Sequence, residues 1–167
     1  MKVLGIDPGS QTLGWGIVEG KGLKYQGIAY GTVKSSPREA FSKRLLKISD
    51  GIEEVIEKFD PDMLSIEEAF YAQNVKVALK LGQVRGAVLL VGEKAGLEIS
   101  EYSPKTIKQT VVGYGNAEKT QVQEMVRILL KLNEIPEPHD AADALAIAIC
   151  HFHHFGLHER VIEAAQN

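Results

Sequence analysis

A single cysteine, a single tryptophan and no surplus of positive charge set the first limits on this chain. Cys150 alone excludes an intramolecular disulfide and fits a reducing cytosol, so a cytoplasmic location is expected. With one thiol no Cys2His2 set exists either, which demotes zinc despite five histidines. Aliphatic runs such as 87–91 fall far below the ~20 residues a membrane span needs. Met1 and Lys2 lead straight into a patterned strand, without the charged and apolar regions of a secretory signal. No GxxxxGK[ST] and no GxSxG occurs, so neither a P-loop nor a nucleophile elbow is expected. The net charge of −3 means that a nucleic-acid partner would have to be met by local basic patches.

What is present is ordinary globular material, 44% hydrophobic and 25% charged, over 167 residues. No repeat and no low-complexity linker interrupts it, so one domain over 1–167 is expected, with a polar, mobile tail after about 156. The first third reads as an antiparallel meander of strands at 3–7, 13–19 and 23–33, turned at Gly20-Lys21-Gly22. Gly14, Gly16, Gly27 and Gly31 inside it mark bends or close backbone approaches. Helix 37–59, strand 63–67, helix 74–94 and strand 98–102 follow. A short helix opened by Pro104, a helix at 117–132 and a last one at 140–154 complete the chain. The expected fold class is α/β, with a mixed five-stranded sheet flanked by helices.

GIDPGS, at 5–10, ends an apolar run in an acid and then turns. Such a turn can stop a strand, make an anion nest, or hold a carboxylate out to a metal. Strand 63–67 also ends in an acid, Glu67, while Glu68 would point to the other side if the strand persists. Asp140 and Asp143 share a face of the first turn of the last helix. Each acid has a plainer reading: a strand end, a solvated pair, or an N-cap with its N3 partner. Four carboxylates meeting at element ends would need a cation, and oxygen donors suit Mg²⁺ or Mn²⁺. His139, beside Asp140, is a weaker candidate for metal or substrate contact. Lys105, Lys108 and Lys119 make a candidate phosphate-contacting patch, and Phe70-Tyr71 could stack on an unpaired base. Gly82 and Gly86, with Ala78, permit close packing against a second subunit or against the chain's own sheet.

Actin-like ATPases and sugar kinases begin with a similar hairpin, but they need a second domain for which this chain has no room. GIDPGS, SIEEAF (65–70), ALKLGQVRG (78–86), KQTVVGYGNAEKTQV (108–122) and DAADALAIAI (140–149) together closely resemble the bacterial RuvC family of Holliday-junction resolvases. The resemblance implies an RNase H-like fold, a symmetric homodimer and Mg²⁺-dependent cutting of four-way DNA junctions. It implies that Asp7, Glu67, Asp140 and Asp143 bind two Mg²⁺ ions and activate water. It supports Lys108 and Lys119 as DNA contacts and Phe70 as a wedge, and by analogy implies a RuvA–RuvB partner. A non-catalytic junction-binding protein and an RNase H acting on RNA–DNA hybrids are the competing expectations.

Overall fold

A computed structural model of the chain describes residues 1–68 and 74–165, with 157–165 as backbone only. Three strands come first, β1 (Lys2–Asp7), β2 (Thr12–Lys21) and β3 (Lys24–Lys34), followed by α1 (Phe41–Phe59) and β4 (Met63–Glu67). Next are α2 (Val75–Lys94), β5 (Glu98–Tyr102), α3 (Pro104–Val112), α4 (Lys119–Leu129) and α5 (His139–Ala165). The sheet order is β3-β2-β1-β4-β5, antiparallel through β1–β3 and parallel from β1 to β4 to β5. This is the mixed five-stranded α/β sheet expected.

Alternation along the strands sorts the two faces. Leu4 and Ile6 of β1, with Leu64 and Ile66 of β4, pack against α1 and α2. Val3 belongs to the opposite layer, with α3, α4 and α5. With a period of two, Gly5 and Asp7 follow Val3 onto that second face, and Ser65 and Glu67 do the same on β4. The parallel register pairs Gly5 with Ser65, so the two acids sit at neighbouring strand ends.

The close approaches anticipated at the meander glycines are present. A Cβ on Gly14 would lie 1.9 Å from the Asp140 carbonyl, and one on Gly5 2.1 Å from the Ala144 carbonyl. Helix α5 therefore lies directly on the backbones of β1 and β2, and residues 141–152 of it are all buried except Asp143. A helix that is apolar all round belongs in a core.

Three boundaries differ from the sequence reading. Helix α1 starts at Phe41, because Ser36 and Glu39 close their own turn: the Ser36 amide donates to Glu39 Oε2 at 3.0 Å. Helix α4 starts at Lys119, since Glu118 and Gln121 form a reciprocal capping box. The last helix, expected to end at about 154, runs to Ala165, which the good helix formers in LHERVIEAA permit. No helix among the described residues is long and apolar enough to cross a membrane.

Candidate active site

At the carboxyl ends of β1 and β4, a cleft of about 440 Å³ opens between the sheet and helices α3, α4 and α5. Asp7, Glu67, Asp143, Lys108 and Lys119 line it, over an apolar floor that includes Ile107, Val122 and Ala146. This is where ligands gather in open α/β sheets. Asp140 is absent from the wall but near enough for its charge to act on Asp7.

The electrostatics are those of crowded acids in a partly dry site. Burial, and then Asp143, Glu67 and Asp140, push the Asp7 carboxyl up to about 8, against an opposing pull from Lys119. Glu67 is raised too, by burial and then by Asp143, while Lys108 and Lys119 oppose the rise. Lys119 donates to an Asp143 carboxylate oxygen at 2.9 Å, and that bond raises its own ammonium. The carbonyl of Glu67 accepts from Arg85 Nε at 3.1 Å, and Arg85 also pairs with Glu101. Among the described residues no three His, Cys, Asp or Glu side chains close around one point. The donor set nevertheless fits a hard divalent cation. It is made of carboxylates alone, and burial and then mutual repulsion push Asp7 toward its neutral form, a cost that a divalent cation would offset. Lys119 meets part of that cost by holding Asp143.

Of the residues singled out from sequence, the fold brings together Asp7, Glu67, Asp143, Lys108 and Lys119, with Asp140 at the edge. Lys105 lies outside the cleft wall, its stem under Gly115, where a Cβ would come within 2.8 Å of the lysine Cγ. Gly82 and Gly86 do not pack on the chain's own sheet: a Cβ on either would meet nothing within 4 Å. Phe70 and Tyr71 fall outside the described residues. Two contributors escaped the sequence reading. Arg85 steadies the Glu67 backbone from within ALKLGQVRG, where its charge among small residues was the only signal. Gln123, 4% exposed, bonds His139 Nδ1 at 2.6 Å and so ties α4 to the head of α5. The spacing from Lys119 to Gln123, matching that from His139 to Asp143, carried this pairing unread.

Comparison with known proteins agrees with the geometry. The family model described as "Crossover junction endodeoxyribonuclease RuvC" matches residues 3–151. A crossover junction endodeoxyribonuclease RuvC of Caldanaerobacter subterraneus is 47% identical over 161 residues, covering 96% of this chain and 98% of that one. One of Heliobacterium modesticaldum is 48% identical, over 92% of this chain and 94% of the other. Thermus thermophilus RuvC, solved in complex with a Holliday-junction substrate, superimposes with a TM-score of 0.89 at 40% identity, over 94% of this chain and 96% of that one. A carboxylate-lined cleft on this sheet, with relatives of this closeness along nearly its whole length, places the chain in the RuvC family of crossover junction endodeoxyribonucleases.

Proposed function

We infer that the protein resolves four-way DNA junctions by hydrolysing phosphodiesters on opposed strands, in recombination and repair. The observation that carries the reading is the meeting of Asp7, Glu67 and Asp143 in one cleft, where burial and then the neighbouring acids raise the Asp7 carboxyl. Asp7, Glu67, Asp140 and Asp143 would hold Mg²⁺, two ions per site, with Mn²⁺ able to substitute. Bound ions of this kind supply Lewis acidity toward the attacking water and the leaving 3′-oxygen, so the products carry 5′-phosphate and 3′-hydroxyl ends.

The chain's own residues do the rest. Lys119 sits on the wall with its ammonium at Asp143, where it can pass to a phosphate oxygen and offset charge developing in the transition state. Lys108, across the cleft, fixes the strand by a phosphate contact, with Lys105 further along the same helix. Phe70, just past Glu67 in sequence, is the proposed stacking wedge at the junction centre.

Two such centres are needed for paired cuts, and a homodimer supplies them. Its seam is proposed along α2, where Val75, Leu79 and Leu90 are exposed and Gly82 and Gly86 leave open space between them. Cooperation with a RuvA–RuvB complex and a cytoplasmic location rest on the family alone. The test is cleavage of a synthetic four-way junction, end-labelled on each strand in turn, with Mg²⁺ and with EDTA, against linear duplex. Symmetric Mg²⁺-dependent nicks on the junction alone are expected. Binding without nicks would favour an architectural protein, and cutting of an RNA–DNA hybrid instead would favour an RNase H.

A further inference from the structure

Arg44 is a cation buried without an acid. It lies one turn into α1 and is only 4% exposed, yet no carboxylate among the described residues pairs with it. Its bonds go to neutral groups: Nε donates to Ser35 Oγ at 3.2 Å, and Nη2 donates to the Ser10 carbonyl. Among the described residues Nη1 makes no hydrogen bond, and it is not one of the buried unpaired atoms found there. A buried guanidinium with a free donor and no counter-charge is costly unless an anion completes it.

A second cation shares its aromatic ring. The Arg44 guanidinium lies 5.3 Å from the centre of the Phe41 ring, and Lys80 Nζ of α2 lies 5.8 Å from the same centre. Attraction to the ring holds both cations at Phe41. Lys80 makes no ion pair among the described residues either.

The position of the pair matters. Ser10 lies in the loop that follows Asp7, and Ser35 bonds that loop twice, its amide to the Gln11 carbonyl at 2.9 Å and its hydroxyl to the Ser10 carbonyl at 3.1 Å. Helices α1 and α2 both begin at the sheet end where Asp7 and Glu67 stop. Lys108 and Lys119 flank the acids on the α3–α4–α5 side of the sheet, and Arg44 and Lys80 stand on the α1–α2 side.

We propose that Arg44 and Lys80, held on Phe41 above the Ser10–Ser35 contact, form a second phosphate site that grips a DNA backbone other than the one being cut. The proposal rests on the junction-nuclease reading, since a branched substrate presents further strands beside the scissile one. Its chemistry is a fork-shaped donor plus a point charge, which suits a phosphodiester.

The test is binding of a synthetic four-way junction in EDTA across a salt series, for wild type, Arg44→Gln, Arg44→Lys and Lys80→Gln. Each phosphate deprived of its cation lowers the slope of log K against log salt by about 0.9. Arg44→Gln and Lys80→Gln are each expected to lower it by about one, with Arg44→Lys nearer wild type. A 12-base-pair linear duplex, which offers no further arm, should show little change. Should Arg44→Gln fail to fold, the exposed Lys80→Gln and its charge reversal Lys80→Glu carry the same test. Unchanged slopes on the junction would overturn the proposal and leave Arg44 as a loop brace. Wild type that cuts the junction while the variant slopes stay put sinks this inference alone; wild type that neither binds nor cuts sinks the nuclease reading and this with it.

Discussion

Asp7 and His151 show how one side chain on this sheet face couples charge to stability, with opposite signs. The Asp7 carboxyl is pushed from 3.8 up to about 8 in the folded protein. Its contribution to stability is therefore full below about pH 4, falls as pH rises through that window, and is gone above about 8. Asp7→Asn removes the titration. Without divalent metal, the variant is expected to gain roughly 1–3 kcal/mol over wild type at pH 8 and little at pH 4. Thermal unfolding in EDTA at the two pH values measures this. In Mg²⁺ the same variant should bind a junction and lose cleavage by about 10³-fold or more; retained cleavage would remove Asp7 from the chemistry. His151 is 2% exposed, and burial, followed by the His154 charge, lowers its imidazole to about 4. Its Nδ1 meets the Tyr102 hydroxyl at 3.0 Å and its Nε2 lies 3.1 Å from Met63 Sδ. A depressed histidine contributes in full above about pH 6.5 and loses that contribution as pH falls toward 4. His151→Asn should flatten this part of the profile, which in wild type is worth up to about 3 kcal/mol. Urea midpoints for wild type and variant at pH 7.5 and 5 check it, and equal pH dependence in both would refute it.

At the scale of elements, the site depends on how closely α5 lies on the sheet. Gly14 sits under the Asp140 carbonyl, so Gly14→Ala places a methyl where backbone stands 1.9 Å away. Helix α5 must lift, and the variant is expected to lose about 2 kcal/mol or more of stability. Cleavage should fall further than unfolding explains, because Asp140 and Asp143 move with the helix. Single-turnover cutting at a temperature where the variant is still folded tests this. Helices α4 and α5 meet through two rungs, Lys119 with Asp143 at 2.9 Å and Gln123 with His139 at 2.6 Å. Gln123→Leu removes one rung. It is expected to lower kcat about tenfold with KM nearly unchanged, since the loss is of alignment rather than substrate binding. An unchanged kcat would make the pair decorative.

The strands were legible in the sequence because alternation wrote them: Val3, Gly5 and Asp7 on one face, Leu4 and Ile6 on the other. The acids were legible because Asp7 and Glu67 close strands and Asp140 and Asp143 open the last helix. The Gln123–His139 rung was not, because it joins residues sixteen apart through an amide and an imidazole that follow no local pattern. Helix α1 was read too long because Pro37 imitates a helix start, whereas Ser36 and Glu39 close a turn there.

The whole molecule carries a net charge of −3, and the proposed paired cuts ask it to hold a polyanion at two symmetric sites. Local cations can meet the strand, but only a second copy can place a second cleft on the opposite strand. The face of α2 is the proposed seam. Val75 is 69% exposed, Leu79 64% and Leu90 58%, while Val84, Val88 and Val91 on the other side of the helix are buried. An apolar stripe turned away from its own core needs cover, and the glycines between let another backbone approach. Leu79→Glu with Leu90→Glu places like charges in such a seam without touching the core. The double variant is expected to sediment as a monomer with an unchanged melting profile in dilute solution. On a supercoiled cruciform plasmid, which keeps its branch only until it is nicked twice or relaxed, wild type should yield linear product from paired cuts. The variant should yield nicked circles, because a lone subunit makes one cut and the branch is then lost. Linear product from a monomeric variant would show that pairing of the cuts does not need this surface.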